Sequence, residues 1–421
     1  MPQPNLNALT EQPHQRLITF CQQQCPATLE MLRRLVAINS FTTHPAGVDA
    51  VGALTAQLFE PLGFDTKFVA PERKEFGRHL VMKRSGTPAA PTMALISHLD
   101  TVYPAEEEMA NGFQWREENG RIHGPGTVDI KGGTALLHLT LLALRHCFPE
   151  TFEAANWVLL FNSCEEVDSR DFGQLCRREL PTDTRACLVF EADGANDDSF
   201  ALVAARKGRA TFRVEVEGRG AHAGSQLHRG INAVTQLART IADLHQLTDP
   251  ANEVTVNVGL CSGGTVVNRV PHEAHAFLEM RAFSPAVYEQ VKAAILAHNG
   301  PGNIQNSEGQ SAKVRVSVVD EAPPWPTNAA SEALLKVWLE CGEALELKVH
   351  RQERGGLSDG NVLWEQYPTL DGLGPRGWDA HCSEHQPASG KLQEAVDPAS
   401  FPPKAALNAL ALQRLLTVPV S

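Results

Sequence analysis

The stretch Trp157-Val-Leu-Leu-Phe161 leads through Asn162-Ser-Cys164 into two adjacent acids, Glu165 and Glu166. A short apolar run of this kind reads as a buried strand. Neighbouring side chains at a strand end point to opposite sides, so the two carboxylates are expected to do different work. Adjacent like charges are also costly unless cations or hydrogen bonds compensate them. Taken alone, the pair reads as a solvated loop after a strand. The same arrangement recurs along the chain, and that recurrence outweighs the solvated-loop reading.

Upstream, Thr92-Met-Ala-Leu-Ile-Ser97 runs straight into His98-Leu-Asp100. Positions two apart on a strand face the same way, so His98 and Asp100 can act on one point. A histidine can bind a metal through one ring nitrogen while a carboxylate fixes the other. Downstream, Ala186-Cys-Leu-Val-Phe190 ends at Glu191. Between these runs, Gly124-Pro-Gly-Thr-Val-Asp129-Ile-Lys-Gly-Gly133 feeds an uncharged segment, Thr134 to Leu144, which reads as a buried helix with Asp129 at its entrance. A phosphate-binding loop is excluded there, because Lys131 precedes Gly132 instead of following a glycine. Three apolar strands therefore each deliver acid or histidine at their carboxyl ends, where open α/β sheets bind ligands.

The rest of the chain frames this site. At 421 residues it is long enough for two domains, and 43% hydrophobic with 20% charged residues is ordinary for a globular protein. A net charge of -12 without a basic block argues against a nucleic-acid surface. The nine cysteines lack a repeating metal-site spacing; Cys21 and Cys25 form a lone pair of neighbours. Reduced thiols, a polar Met1 to Gln15 without an apolar leader core, and no membrane-length stretch predict a cytoplasmic protein that does not engage a membrane.

Apolar spacing predicts helix on either side of Pro26 within residues 16–38, a helix from Gly47 to Phe59, and strands at Phe64 to Val69 and Leu80 to Lys83. From about Lys207 the texture changes. Ala210, Phe212, Val214 and Val216 alternate with polar residues, as do Val254, Val256 and Val258, then Ala276, Leu278 and Met280, then Val314, Val316 and Val318. Ile231, Val234, Leu237, Ile241 and Leu244 have helical spacing, and another helix follows Pro285. The order β-α-β-β-α-β is the ferredoxin-like unit. The expected organisation is a mixed α/β catalytic domain split into residues 1–206 and 321–421 by an inserted ferredoxin-like domain at 207–320. Helices at Ala330 to Leu345 and Lys404 to Leu416 and a strand at Glu346 to Arg351 complete the second part.

The candidate site comprises His98, Asp129, Glu165, Glu166, Glu191 and one of the tail histidines, His381 or His385. Mixed histidine and carboxylate ligands suit zinc or a similar divalent ion. Two histidines and three carboxylates oversupply one tetrahedral ion, whereas two ions bridged by one carboxylate use them all. One acid is then left over as a general base. Two other patterns compete. Pro271-His272-Glu273-Ala274-His275 is one residue short of a zincin motif and lies on an alternating strand. Gly356-Leu-Ser358-Asp-Gly360 matches a nucleophile elbow, with Asp379 and His381 downstream, so a serine hydrolase using Ser358 is the rival reading. The charged stretch Arg351 to Arg354 stands where an elbow needs a buried strand, and the strand-end acids would lack a purpose.

Together, Ser97-His98-Leu-Asp100-Thr, the Gly124 to Gly133 segment around Asp129, Glu165-Glu166, Phe190-Glu191 and the Gly- and His-rich tail resemble the zinc-dependent carboxypeptidase and deacylase family. That family includes bacterial glutamate carboxypeptidase, acetylornithine deacetylase, succinyl-diaminopimelate desuccinylase and aminoacylase. The resemblance runs from about Leu29 to the end. It implies a zinc-peptidase catalytic domain with a ferredoxin-like lid, homodimerisation through that lid, and two zinc ions per subunit, with cobalt or manganese as substitutes. Asp129 would bridge the ions, His98 and Glu191 would complete one, and Glu166 with His381 the other. Glu165 would be the general base acting on a metal-activated water, and Asp100 would orient His98. His222, in Gly220-Ala-His-Ala-Gly224, would reach a partner subunit's site and steady the oxyanion. Asn268 and Arg281 would hold a substrate carboxylate, and Gly355 and Gly356 its backbone. The substrate implied is a peptide or N-acyl amino acid, cleaved at an amide bond next to a free carboxylate. Because these ligands are all present, a non-catalytic metal-binding relative is disfavoured. Cys164 departs from the family pattern, as do Asp320 and Glu321, which stand near where glutamate-cleaving relatives place a second arginine.

Overall fold

The computed structural model describes residues 13–195 and 197–417. Most of the polar Met1 to Gln15 stretch lies outside the described residues. Two compact units emerge. The first runs up to Ala204 and resumes over Thr327–Glu353 and from Ser358 onward; the second comprises Ala205–Pro326 and Arg354–Leu357.

In the first unit a six-stranded mixed sheet has the spatial order Asp65–Val69, His79–Arg84, Asn156–Asn162, Thr92–His98, Ala186–Val189, Thr369–Leu370. The first two strands run antiparallel to their neighbours, and the last four are mutually parallel. Each central strand is apolar on both sides, as parallel strands covered on two faces must be. Leu95, Leu159, Phe161 and Leu188 join one core, beneath the helices Pro13–Val36, Lys131–Cys147 and Phe401–Thr417. Ala94, Ile96, Leu160 and Val189 join another, against Phe172, Leu175 and Cys176 of the helix Arg170–Glu179. The result is a helix-sheet-helix layering whose strand ends present the candidate residues along one edge.

Pro26 sits inside a single helix, Pro13–Val36, where a break was expected. Proline removes one helical hydrogen bond, yet Leu17, Cys21, Met31, Leu32 and Leu35 on this helix are all core residues, and their burial on both sides of Pro26 keeps it continuous. A small four-stranded sheet, in the order Gly377–Trp378, Ala395–Val396, Arg121–His123, Arg116–Glu118, was not anticipated. It ties the tail to the segment just before Asp129.

The second unit has five antiparallel strands in the order Thr255–Gly263, Glu273–Ala282, Gly208–Glu217, Ser311–Ala322, Gly300–Gln305, with the helices Ala233–His245 and Pro285–Leu296. The first four strands have the ferredoxin-like order. The fifth, Gly300–Gln305, extends the expected β-α-β-β-α-β pattern. It carries Pro301 and glycines, which edge strands tolerate and apolar alternation does not reveal. Its core is built from Phe212, Val214, Leu278, Met280, Leu237 and their neighbours. Gly355 and Gly356, expected with the 321–421 part, group instead with this unit: Arg281 Nη1 donates to Gly355 O at 2.8 Å, and Arg206 Nη1 to Gly356 O at 3.0 Å.

Candidate metal centre and active site

His98 ends its strand almost wholly buried. Its Nδ1 stands 3.3 Å from Asp100 Oδ1, and its Nε2 stands 3.1 Å from Asp129 Oδ1 and 3.5 Å from Glu191 Oε1. His381 Nε2 stands 3.2 Å from both Asp129 Oδ2 and Glu166 Oε2. The two oxygens of Asp129 are thus divided, one toward His98 and Glu191 and the other toward His381 and Glu166. Of the two tail histidines, His381 makes these contacts. Glu165 offers an oxygen that clusters with His98 and Glu191 within 4.8 Å.

These spacings can be tested against a metal. Ligands bound tetrahedrally at about 2.0–2.1 Å stand roughly 3.3 Å from one another. The pairs above fall close to that edge length. Glu166 Oε1 is buried without a hydrogen-bond partner among the described residues, an orphaned acceptor that a cation would satisfy. The residues therefore fit two divalent cations sharing Asp129.

The electrostatics agree with this reading. Burial, together with the charges of Glu191, Asp359 and Glu166, pushes Glu165 well above the usual carboxylate range, against the opposing pull of His98. Burial and the Asp129 charge push Glu166 up to about 7. Hydrogen bonds to Asp129 and Glu166 raise His381 to about 11. Asp129 is itself opposed by burial, but hydrogen bonds from His381 and His98 hold it below the ordinary range. Such crowding of buried acid is costly without cations.

Several residues that the motifs did not single out hold the centre in place. Glu394 is fully buried and accepts from Val128 N, Asp129 N and Tyr103 Oη at 2.8, 3.1 and 2.7 Å. Asp359 accepts from Asn162 Nδ2 at 2.8 Å. A lone acid in a polar tail gives no periodic signal, so Glu394 was not legible, and Asp359 stood out only as part of the serine motif. Ser358, the rival nucleophile, is buried; its hydroxyl donates to Asp371 at 2.7 Å and accepts from Gly360 N at 3.1 Å, opening a 3-10 turn. Its proton and one of its lone pairs are committed to structure.

His222, Asn268, Arg281, Gly355 and Gly356 belong to the second unit. His222 Nδ1 accepts from Gly224 N and Ser225 N, both at 3.2 Å, and Ala223 N donates to Asn268 O at 3.0 Å. These bonds orient an exposed imidazole on a fixed loop. Arg281 engages Glu279 through Nε at 3.0 Å and Nη2 at 3.2 Å.

Residues 204–303 match the peptidase dimerisation domain. Along most of its length the chain is similar to carboxypeptidase G2 of Pseudomonas sp. (strain RS-16): 25% identical over 378 residues, covering 89% of this chain and 88% of that protein. The chain resembles the carboxypeptidase and deacylase family along most of its length. This metallopeptidase is also 31% identical over 276 residues to a probable carboxypeptidase of Aspergillus terreus, covering 60% of each. Its fold is shared with the aminopeptidase PepT of Bacillus cereus, at a TM-score of 0.70 and 21% identity, covering 93% of this chain and 98% of that one. A metallo-carboxypeptidase of Sulfolobus solfataricus gives 0.69 at 14% identity, covering 93% and 99%. The metallopeptidase is thus an enzyme of the peptidase or amidohydrolase type that works with a metal cofactor. Among the described residues no helix is long and apolar enough to cross a membrane.

Proposed function

We propose that the enzyme hydrolyses a peptide or N-acyl amide bond next to a free carboxylate, in the manner of a glutamate carboxypeptidase. The division of the Asp129 oxygens between two sets of ligands carries this reading. His98, Asp129 and Glu191 would hold one divalent cation, and Asp129, Glu166 and His381 the other. Zinc suits this nitrogen and oxygen donor set, with cobalt and manganese as substitutes. When bound, such a pair polarises the scissile carbonyl and acidifies a water.

The chain's own groups do the rest. Glu165 takes a proton from the attacking water as its oxygen bonds to the carbonyl carbon. It then gives that proton to the leaving nitrogen as the C–N bond breaks. Asp100 fixes His98 through the ring nitrogen opposite its metal-facing one. Arg281 and Asn268 receive the substrate carboxylate, with Gly355 and Gly356 along its backbone, and His222 steadies the oxyanion in the site of a homodimer partner. The protein works on small substrates in the cytoplasm.

Purified enzyme loaded with zinc, cobalt or manganese should cleave members of a panel of N-acyl amino acids and dipeptides. Glu165→Gln should lower kcat by about 100- to 10,000-fold, the span of general base catalysis, while metal content stays near that of the parent. A variant with full activity would sink the assignment of Glu165.

A further inference from the structure

The acids Glu165 and Glu166 leave their strand on a turn whose four consecutive backbone N–H groups each meet a buried side-chain acceptor. Ser163 N donates to His79 Nδ1 at 3.1 Å, and Cys164 N to Asn162 Oδ1 at 3.1 Å. Glu165 N donates to Asp100 Oδ1 at 3.1 Å and Glu166 N to Asp100 Oδ2 at 3.3 Å. Asn162 ends one of the apolar strands that carry the site, and Asp100 lies two residues past the end of another. His79 comes from elsewhere: it opens the His79–Arg84 strand, where the next residue, Leu80, pairs with Phe161. It is 1% exposed.

His79, Cys164 and Asp171 place ligand atoms within 4.8 Å of one another, which invites reading them as a further metal site. The hydrogen bonds exclude it. A backbone N–H can only donate, so Nδ1 of His79 must offer its lone pair to Ser163. A neutral ring then carries its proton on Nε2, where Asp171 Oδ2 stands 3.4 Å away. With Nδ1 committed to Ser163, Nε2 could bind a cation only as an imidazolate. The Cys164 thiol donates to Asp168 O at 3.2 Å, closing the far side of the same turn. Asp171 is anchored in turn by Glu72 N at 2.9 Å.

We propose that His79 is a positioning residue for Glu165 and Glu166, acting as a neutral acceptor whose tautomer Asp171 fixes. Through Ser163 it sets the start of the turn that sends the two carboxylates in different directions. This rests on the roles given to those acids above. Residues that support metal ligands from behind commonly change activity or metal affinity by about 10- to 100-fold when replaced.

The test uses His79→Ala, His79→Asn and His79→Gln in the full-length enzyme. Asparagine places an amide oxygen near the Nδ1 position, whereas glutamine places its amide near Nε2. Turnover and KM are measured on the substrate that the parent cleaves fastest. Zinc affinity is measured by competition with a chelating dye, so the inference is decided even if no substrate turns over and the hydrolase reading itself fails. The expected result is a fall of about 10- to 100-fold in kcat or zinc affinity for Ala and Gln, with KM within about twofold, and recovery of most of it by Asn at an unchanged melting temperature. If the Ala variant is not recovered folded, the comparison of Asn with Gln decides. Wild-type kcat and zinc affinity in the Ala variant would overturn the proposal. So would an Asn variant as impaired as Gln, or a sulfur-to-metal absorption band on loading with cobalt, which would put an ion on Cys164.

Discussion

Glu394 accepts the backbone N–H of Asp129 at 3.1 Å from 265 positions along the chain, and that of Val128 at 2.8 Å. With the Tyr103 hydroxyl, three buried donors converge on one side chain. Leaving a buried donor without a partner costs about 1–3 kcal/mol. Glu394→Ala should therefore destabilise the metal-free protein by on the order of 4 kcal/mol and weaken metal binding, because Asp129 loses its support. Glu394→Gln keeps an acceptor for the two amides and should cost about 1 kcal/mol. Urea unfolding checks both, and equal small losses would remove Glu394 from its supporting role.

Zinc added to chelated enzyme should release protons. Hydrogen bonds to Asp129 and Glu166 hold the His381 ring protonated up to about 11. Burial opposes protonation of His98, but hydrogen bonds to Asp100 and Asp129 overcome it and raise that ring well above its ordinary value. Both must give up a proton to bind a cation, so zinc affinity should rise from pH 6 to pH 8. Titration calorimetry in two buffers of different ionisation heat reads the release directly. Heats that do not depend on the buffer would contradict it.

Lys404 and Asp193 form an ion pair at 2.9 Å with neither side chain exposed, two residues beyond Glu191. Removing one partner of such a pair strands the other charge, which costs about 3–5 kcal/mol. Lys404→Met should be destabilised by that amount. Lys404→Met combined with Asp193→Leu should recover most of it, since no charge is left buried. A double variant no better than the single one would show that the pair does more than neutralise itself.

His138 lies on the helix Lys131–Cys147, edge-on to Phe59 at 4.9 Å. Burial drives its ring down from the ordinary 6.5 to about 4. Between those values the unfolded chain binds a proton that the folded chain does not. Its stability is therefore full above about 6.5 and is lost as pH falls toward 4, by about 2 kcal/mol between pH 7 and pH 5. His138→Leu should flatten the urea midpoint over that interval by the same amount. Identical pH profiles for parent and variant would sink the idea.

The strand ends carrying His98, the Glu165-Glu166 pair and Glu191 were legible because buried parallel strands are apolar throughout and stop abruptly at polar residues. Asp129 stood out through its glycines. The supports behind them were not legible. Glu394 and His79 acquire meaning only once the small sheet and the His79–Arg84 strand bring them to their backbone partners, and no local spacing encodes that. The same holds for Pro26, where packing on both flanks overrides a helix breaker, and for Gly300–Gln305, a strand with almost no apolar signature. The serine motif around Ser358 shows the converse: a pattern complete in sequence whose hydroxyl is spent on a turn.

The strand Ala186–Val189 has its outer neighbour, Thr369–Leu370, only after the entire inserted unit has been made. At about 5–20 residues per second on the ribosome, the nascent sheet keeps that edge open for on the order of 10 to 40 s. His381 and Glu394 emerge later still. The acids at the strand ends are therefore all synthesised before the last histidine and the prop beneath Asp129 arrive, and the candidate site would be complete only after Glu394 has been made. Metal loading would in this sense wait on the tail, and a chain stopped before Thr369 would leave a sheet with a bare edge and a cluster of acids without His381.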